Sequence, residues 1–193
     1  MAKRAFDLFF SLLGLILLSP VILAASIGIK LSSPGPVFFR QERVGMRFKI
    51  FRIYKFRTMS DDAVSDPPIT VSGDPRVTRF GRFLRRTKLD ELPQLINVFR
   101  GDMSLVGPRP EVPYYVGMFR SDYEEILHVR PGITDEASIE FRHEDAVLAA
   151  AANPQELYLK EVLPRKIELA KKYVGNGRLR DDLSIILRTL MHL

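Results

Sequence analysis

An uncharged apolar run near the N-terminus limits the fold more than any other feature of this sequence. It covers 22 residues from Leu8 to Ile29 and reads LFFSLLGLILLSPVILAASIGI. At about 1.5 Å per residue, a helix of this length matches the hydrocarbon core of a membrane. The run therefore predicts a segment inserted in lipid. A cleaved signal peptide is the least favoured interpretation, because it would carry the basic residues after the run across the membrane.

Charge and proline bear on the two remaining interpretations. Lys3 and Arg4 precede the run, and Lys30 with further arginines follows it, so neither flank has the composition of an external loop. Pro20, near the midpoint, lacks a backbone donor and bends a helix, and Ser19 can satisfy a freed backbone group. Two structures fit: a re-entrant helix with both ends on one side, and a kinked helix that crosses once.

The composition restricts the chemistry that is available. The chain of 193 residues is long enough for one domain with a real core, and its net charge of +6 predicts an anionic partner such as phospholipid, a phosphorylated substrate or nucleic acid. The absence of Cys excludes disulfides, thiolate nucleophiles and cysteine-ligated zinc. The three histidines lie far apart and are predicted to be structural. An enzyme with this sequence must use carboxylates, hydroxyls and cations.

The chain beyond the apolar run predicts an α+β fold that is mainly helical, around one globular domain. Aromatic and branched residues mixed with cations flank Val44-Gly45, which predicts a small β-hairpin. Residues 60–75 have the composition of a loop. Helices are predicted at residues 121–129, 153–173 with a kink at Pro164, and 178–193. The predicted division is a membrane-anchoring segment at residues 1–33 and a catalytic domain at residues 34–193.

Two predicted helices are amphipathic. Residues 76–88 place Val77, Phe80, Phe83 and Leu84 along one stripe and the arginines largely elsewhere, which suits a membrane interface. The alternative is a solvated basic helix whose apolar stripe packs on the protein's own core. The C-terminal helix carries an apolar face that is expected to pack in the core or to lie on the bilayer, formed by Leu179, Leu183, Ile186, Leu187 and Leu190.

The segment LDELPQL places Asp90 and Glu91 side by side before an apolar helix. That helix is predicted to run from about Glu91 to Arg100 and to stop at Gly101. Because Pro93 is tolerated only in the first turn, Asp90 is the predicted N-cap, ionised at the positive end of the helix dipole. Neighbouring helical side chains diverge by about 100°, so the two carboxylates can hold different roles. Alternatively, both merely balance the arginines before them.

A stiff turn further along the chain predicts a phosphate site. Pro108 and Pro110 restrain Arg109, and a fixed guanidinium suits bidentate phosphate binding. Lys55, Arg57 and Arg130 are further candidate cations. With the carboxylate pair, they indicate a site that handles phosphates at a membrane surface.

Several of these stretches resemble one known family, the bacterial sugar transferases, also called small monotopic phosphoglycosyl transferases. They are the apolar N-terminus with Ser19-Pro20, QERVG, FKIFRIYKFRTM, LDELPQLINVFRGDMSLVGPRP and RPGIT, within residues 1–134. The resemblance implies a re-entrant helix broken at Ser19-Pro20, on the cytosolic face of the bacterial inner membrane. It also implies transfer of a sugar 1-phosphate from a UDP-sugar to polyprenol phosphate (undecaprenyl phosphate), with release of UMP and with Mg²⁺ as cofactor.

The resemblance also implies roles for individual residues. Asp90 corresponds to the family's nucleophile, which would form an acyl phosphate, and Glu91 would hold the magnesium ion. The expected substrate-binding residues are Lys55, Arg57, Arg86, Pro108, Arg109, Pro110 and Arg130. After RPGIT many relatives continue Gly-Leu-Ala-Gln, whereas this chain reads DEASIEFR. The resemblance therefore assigns no sugar-reading role to that stretch, and none to residues after about 140.

A second hypothesis keeps the membrane and gives up the chemistry. A basic peripheral membrane protein could bind anionic lipids or a partner, with Asp90 and Glu91 only capping a helix. A nucleic-acid partner is not expected, because such a binder has no need of a lipid-buried segment.

Overall fold

The fold is mainly helical, as predicted, with small β-sheets. The computed structural model describes residues 2–60, 73–176 and 179–191, so most of the loop predicted at residues 60–75 lies outside the described residues. The helices are α1 (Ala2–Leu17), α2 (Ser19–Ser32), α3 (Arg79–Arg86), α4 (Gln94–Arg100), α5 (Pro113–Met118), α6 (Arg120–Ile126), α7 (Glu136–Glu140), α8 (Glu144–Ala149), α9 (Pro154–Leu157), α10 (Leu163–Asn176) and α11 (Leu179–Met191). The strands are β1 (Phe38–Val44), β2 (Ile50–Phe56), β3 (Ser104–Val106) and β4 (Gly132–Thr134).

Helices α1 and α2 form a bent pair. They meet at Leu18 at an angle of 59°, and Pro20 lies in the first turn of α2. The Ser19 hydroxyl donates to the carbonyl of Ile16 at 2.8 Å, which satisfies a group that the break frees. Among the described residues, no single helix is long and apolar enough to cross a membrane, whereas this pair is by length and composition. The predicted break at Ser19-Pro20 is therefore confirmed.

The polarity of α1 is the reverse of that of a water-soluble surface helix. Asp7 and Ser11 are buried against the protein, and Asp7 Oδ1 accepts hydrogen bonds from the Ser104 hydroxyl and the Leu105 amide, each at 3.0 Å. A helix facing water would turn its polar side outward. The apolar side faces outward instead, with Phe9, Leu12, Ile16, Leu17, Leu23 and Leu31 of the pair exposed. So large an exposed apolar surface fits contact with lipid.

The predicted hairpin is present and is fixed to α4. Strands β1 and β2 pair antiparallel, with Val44 opposite Ile50. Asn97 of α4 is fully buried; its side chain accepts from the Tyr54 amide at 2.9 Å and donates to the Arg52 carbonyl at 2.8 Å. This one amide group satisfies two backbone groups of β2 and thereby holds the helix in register with the hairpin.

The start of α4 differs from the prediction. The helix begins at Gln94, with Pro93 at its N-cap and no side-chain capping hydrogen bond, and Asp90 lies before it in a short 3₁₀ turn, Leu89–Glu91. The prediction that Asp90 caps the helix was therefore wrong. The cause is local, because Lys88 has a positive φ of 56° and turns the chain into the 3₁₀ segment. The predicted stop is confirmed, since Gly101 has a φ of 92°.

Helix α3 packs mainly against the protein. It is shorter than predicted, because the Thr78 side chain caps it by accepting from the Gly81 amide at 2.9 Å. Leu84 is fully buried in a cluster with Ile29 and Phe56. Of the predicted stripe, Phe83 stays 45% exposed. Most of the predicted apolar stripe therefore packs on the protein's own core, as in the second of the two interpretations.

Gly81 provides a test of this packing. A Cβ atom at Gly81 would lie 2.1 Å from the backbone oxygen of Thr58, which cannot move aside as a side chain would. We expect Gly81→Ala to lower the free energy of unfolding by about 1–3 kcal/mol, measured by thermal unfolding of the solubilised protein. Gly117→Ala in α5 is the control, because a Cβ there meets nothing within 4 Å. Equal melting temperatures for the two variants would contradict the close approach.

The chain after residue 153 combines a confirmed cap with an unexpected turn. The Asn153 side chain caps α9 as predicted, accepting from the Glu156 amide at 3.2 Å. The kink predicted at Pro164 takes the form of a π-helical turn, Tyr158–Val162, just before it. The wider turn removes the clash that a proline ring makes with the carbonyl four residues earlier.

Helix α11 does not bury its apolar face. Leu183 is 45% exposed, and Leu187 and Leu190 are each 60% exposed, whereas Asp182 and Ile185 are buried. Of the two alternatives for this face, packing in the core is therefore excluded. Asp182 is held inward because it binds Lys3 at 2.5 Å and the Tyr173 hydroxyl at 2.6 Å. Contact of the exposed face with the bilayer stays a prediction.

Candidate active site

Two motifs far apart in sequence meet in a short parallel sheet. Strand β3 pairs with β4, so the GPRP loop (residues 107–110) lies against the RPGIT segment (residues 130–134). A Cβ at Gly132 would lie 2.1 Å from the amide nitrogen of Gly107, so this approach requires glycine. The Arg109 amide then donates to Asp135 Oδ2 at 3.0 Å. The backbone of Arg109 is thus fixed by the tertiary structure as well as by its flanking prolines.

Glu91 lies between two cations from different elements. Its Oε1 accepts from Lys55 Nζ at 2.8 Å and from Arg109 Nη2 at 2.6 Å. Burial by itself would raise the pKa of Glu91, but Arg109 and Lys55 outweigh it and hold that pKa well below its ordinary value. The charge of Glu91 raises the pKa of Arg109. Three residues singled out from the sequence are therefore brought together, by β2, the 3₁₀ turn and the GPRP loop.

Asp90 has a different environment from its neighbour. It is buried, and its Oδ1 has no hydrogen-bond partner in the described part of the chain. Burial, followed by the negative charge of Glu91, raises the pKa of Asp90, and Lys55, Arg85 and Lys88 only partly oppose this. The sequence had predicted the opposite, namely that a helix dipole would keep Asp90 ionised. A poorly solvated carboxylate with an unused oxygen has the properties of a nucleophile.

The carboxylate pair lines a large polar cavity. Its volume is about 670 Å³, and we call it the donor-side cavity, after the donor substrate that the resemblance implies. Two groups of residues with different chemistry line it. One group, the cationic side, consists of Lys55, Arg76, Arg85 and Lys88. The other group, the aromatic side, includes Arg43, Glu111, Tyr115 and Tyr158. A phosphate would be attracted to the first group, whereas the second offers aromatic rings and a carboxylate.

A second cavity of about 430 Å³ extends from the bend between α1 and α2 to Glu91. Most of its exposed lining surface is apolar and includes Gly14 and Leu18 at the bend between α1 and α2, with Leu92, Leu95 and Ile133, but charged side chains also line it. Glu91, Lys88 and Arg109 line both cavities. The charged groups around Glu91 are therefore accessible from a polar side and from an apolar side, and we call the second space the apolar cavity.

The other predicted cations occupy varied positions. Arg86 lines the apolar cavity. Arg57 lines the donor-side cavity, but its guanidinium donates to the carbonyls of Ser33, at 2.8 Å, and Pro34, after the end of α2. Arg130 donates through Nε to the Gly101 carbonyl at 2.9 Å. The guanidinium groups of Arg57 and Arg130 thus bind the backbone, and in the described residues neither forms an ion pair with Asp90 or Glu91.

Two cations near Asp90 were missed in the sequence. Arg85 and Lys88 line the donor-side cavity and are among the charges that act on Asp90. Arg85 is oriented by a hydrogen bond from its Nε to the Thr58 hydroxyl at 2.8 Å. Helical periodicity contained a signal for it, because Arg85 follows the buried Leu84 and lies one turn after Gly81. Lys88 had no such signal, because its placement depends on a left-handed backbone conformation.

The carboxylate pair is compatible with a magnesium ion that binds together with a substrate. The described residues contain no group of three or more His, Asp or Glu able to form a complete metal site. Asp90 keeps a free Oδ1, and Glu91 Oε2 has only a long contact of 3.5 Å to Arg109. Magnesium takes one or two carboxylates and completes its shell with water and substrate phosphates. One available oxygen on each carboxylate fits that pattern.

A buried carboxylate pair among cations, with Glu91 lining both a polar and an apolar cavity, is typical of an enzyme that acts on phosphorylated substrates. Comparison with known proteins leads to the same class. A family model described as "Bacterial sugar transferase" matches residues 1–193. The chain belongs to this family, so the resemblance noted in the sequence is confirmed.

Individual relatives agree with the family assignment. The chain is 40% identical to an "Exopolysaccharide production protein PSS" of Rhizobium leguminosarum bv. phaseoli, over 98% of this chain and 93% of that protein. It is 49% identical to a "Putative undecaprenyl-phosphate N-acetylgalactosaminyl 1-phosphate transferase" of Bacillus subtilis, over 62% of this chain and 68% of that protein. It is 39% identical to the "UDP-glucose:undecaprenyl-phosphate glucose-1-phosphate transferase" of Escherichia coli, over 97% of this chain but 39% of that protein. The chain thus spans about two fifths of the Escherichia coli relative.

Proposed function

We propose that this protein transfers a sugar 1-phosphate from a UDP-sugar to undecaprenyl phosphate and releases UMP, as the first membrane step in the synthesis of a glycoconjugate. Relatives named for this reaction support the proposal. The observation that carries it is the position of Asp90, a buried carboxylate with an unused oxygen beside cations that line both cavities. One cavity suits a nucleotide sugar and the other a lipid.

The reaction proceeds in two displacements at one phosphorus atom. In the first, an Asp90 oxygen attacks the phosphate attached to the sugar, and the bond to the second phosphate breaks, so that UMP leaves with the bonding electrons. An aspartyl phosphosugar remains. In the second, an oxygen of the lipid phosphate attacks the same phosphorus atom, and Asp90 leaves as a carboxylate. The two anionic substrates never have to react directly with each other.

The cations stabilise charge during both displacements. Arg109, whose backbone is fixed, presents a planar guanidinium to phosphate oxygens, and Lys55 adds a second charge beside Glu91. Arg85 and Lys88, on the cationic side of the donor-side cavity, bind the leaving nucleotide phosphate. Glu91 and the diphosphate would hold magnesium, which supplies further charge neutralisation when it is bound.

The apolar cavity is the proposed site of the polyprenyl chain. It begins at Gly14 and Leu18, where the membrane helices bend, and ends at Arg109 and Glu91. A lipid in this position keeps its isoprenoid chain among apolar side chains while its phosphate approaches Asp90. The exposed apolar side of the bent pair supports a re-entrant membrane anchor, and its basic flanks favour the cytosolic face for the remaining chain.

The pH dependence of the reaction should report the coupling between the two carboxylates. The nucleophile acts only when ionised, so a raised Asp90 pKa places the acid limb of kcat/KM above the range of an ordinary aspartate. We expect Glu91→Gln to move that limb to lower pH, because it removes a neighbouring negative charge and leaves Lys55 and Arg109 less neutralised. The measurement is UMP release across a pH series. A limb that stays in place, or moves to higher pH, would contradict the assignment.

The proposal is tested by incubating purified protein, in nanodiscs or detergent, with a panel of UDP-sugars, Mg²⁺ and undecaprenyl phosphate. We expect UMP release with at least one donor, and its suppression by a chelator and recovery on adding Mg²⁺. Intact-protein mass spectrometry without lipid acceptor should show the added mass of one sugar phosphate, located on Asp90 by peptide mapping. Absence of UMP across the panel, or a label on another residue, would overturn the proposal.

A further inference from the structure

Glu111, directly after the GPRP loop, has hydrogen-bonding capacity to spare. Its Oε1 accepts from Arg43 Nη1 at 3.4 Å, and both of its oxygens lie 3.3 Å from the Tyr158 hydroxyl. One hydroxyl can donate to only one oxygen at a time, and a carboxylate offers about four acceptor positions. The side chain of Glu111 is only 14% exposed, so water does not make up the difference freely. The contacts orient this carboxylate without saturating it.

Two further polar atoms beside Glu111 lack partners. The Tyr115 hydroxyl and Arg43 Nε are buried and have no hydrogen-bond partner in the described residues. Both side chains line the donor-side cavity together with Glu111. A buried polar atom without a partner is costly and uncommon in folded proteins. A ligand rich in hydroxyl groups would satisfy all three positions.

Charge indicates which part of a nucleotide sugar belongs here. Besides Glu111, the carboxylates of Asp135, Glu144 and Asp145 line the same cavity. Lys166 and Arg43 offset part of this charge, since Lys166 pairs with Glu144 at 2.5 Å, but the carboxylates remain in excess. They disfavour phosphate, which the cationic side of the cavity attracts, and they accept hydrogen bonds from hydroxyl groups. The aromatic rings of Tyr115 and Tyr158 add apolar surface, as sugar rings require. The aromatic side is therefore suited to a neutral polyol.

The closeness of the aromatic side to Arg109 favours the sugar over the uracil base as its ligand. Arg43, the partner of Glu111, also donates to the carbonyl of Pro110, next to Arg109, at 3.3 Å, and the charges of Arg109 and Glu91 act on it. The aromatic side thus adjoins Arg109, the proposed phosphate-binding cation, which we call the phosphate clamp. In a UDP-sugar, the sugar is bonded to the phosphate that Asp90 attacks, whereas the base is separated from it by a second phosphate and a ribose.

We propose that Glu111, positioned by Arg43 and Tyr158, accepts hydrogen bonds from hydroxyl groups of the donor sugar and determines sugar specificity, with the Tyr115 hydroxyl as a second contact. This inference rests on the proposed function, because it takes the donor to be a UDP-sugar. It adds a residue to which the resemblance assigned no role.

The test compares the wild type with Glu111→Gln and Tyr115→Phe. UMP release is measured with UDP-glucose, UDP-galactose and their N-acetylated counterparts, and UDP serves as an inhibitor that lacks the sugar. We expect Glu111→Gln to lower kcat/KM for the preferred donor by about 10- to 100-fold, which corresponds to the loss of a hydrogen bond to a charged group. The decrease in kcat/KM for the poorest donor should be smaller. The inhibition constant of UDP should stay within about twofold. Glu124→Gln, an exposed carboxylate on α6, is the matched control.

Tyr115→Phe separates recognition from folding. Its hydroxyl has no partner in the described residues, so its removal should raise KM for the preferred donor without lowering the melting temperature. The inference is overturned if Glu111→Gln lowers kcat/KM for all four donors by the same factor or if the UDP inhibition constant rises in parallel. It is also overturned if the wild type does not discriminate among the donors.

Binding measurements distinguish this inference from the proposed chemistry. Calorimetry in the Asp90→Asn background compares the affinity for each UDP-sugar with that for UDP, without turnover. If the wild type releases no UMP but UDP-sugar affinity still depends on Glu111, the proposed reaction fails and the recognition site stands. If UMP is released and Glu111→Gln alters neither affinity nor donor preference, the recognition site fails alone.

Discussion

Asp90→Asn is expected to lower UMP release by roughly 10⁴- to 10⁶-fold, the range observed when a covalent nucleophile is removed. Asparagine keeps the size of the side chain but cannot displace UMP from phosphorus. The aspartyl phosphosugar adduct should disappear from the intact-mass spectrum with the activity. UMP release is followed with the preferred UDP-sugar, Mg²⁺ and undecaprenyl phosphate.

Stability separates this effect from damage to the fold. No side chain caps α4, and burial raises the pKa of Asp90, so the uncharged Asn should leave the melting temperature unchanged or slightly higher. Asp122→Asn, on α6, is the matched control, because it loses only a partly exposed ion pair with Lys171. If Asp90→Asn releases UMP at a rate near that of the wild type, the carboxylate is not the nucleophile and the lipid-binding hypothesis regains its place.

Arg109→Ala is expected to lower kcat/KM by about 10²- to 10³-fold, comparable with the loss of a preorganised charge-stabilising donor. The substitution removes the guanidinium that stabilises charge on the transferred phosphate. It also leaves Glu91 with Lys55 alone, since these two cations share its Oε1. Because the clamp acts most strongly as charge develops, kcat should fall more than KM rises. Steady-state kinetics with varied UDP-sugar provides the measurement.

The conservative variant refines this result. Arg109→Lys keeps the charge but loses the planar pair of donors, so it should recover only part of the activity. Arg180→Ala, on the exposed surface of α11, is the control and should stay within about twofold of the wild type, as surface substitutions do. Full activity in Arg109→Lys would indicate a point charge rather than bidentate binding, and full activity in Arg109→Ala would exclude the clamp.

Local patterns in the sequence were sufficient for several elements. The β-hairpin, the break at Ser19-Pro20, the stop at Gly101 and the cap at Asn153 each depend on residues close together in the chain. Turn, proline and capping preferences act over a few residues, so they can be read without the fold. The start of α4 was mispredicted even so, because an unexpected left-handed residue, Lys88, precedes it.

The contacts within the site could not be predicted from local sequence patterns. Lys55, Glu91 and Arg109 were singled out by residue type and by resemblance, but their contact depends on β2, the 3₁₀ turn and the β3–β4 pairing. Arg57 and Arg130 had the same charge and similar contexts, yet their guanidinium groups hold backbone carbonyls. Charge identifies candidates, and only the packing of distant segments decides which cation pairs with a carboxylate of the site and which binds backbone carbonyls.

The sequence by itself determined the apolar segment and its break, the mainly helical α+β class, the family, and the acidic pair with its cations, because these depend on composition, short-range preferences and motifs. The tertiary structure decided that Asp90 is buried with a raised pKa, that Lys55, Arg85 and Lys88 act on it, and that its neighbour Glu91 lines two cavities. It also decided that the apolar face of α11 stays exposed. The physical reason is that burial and Coulomb interactions depend on distances between residues far apart in the chain, which only the folded backbone sets.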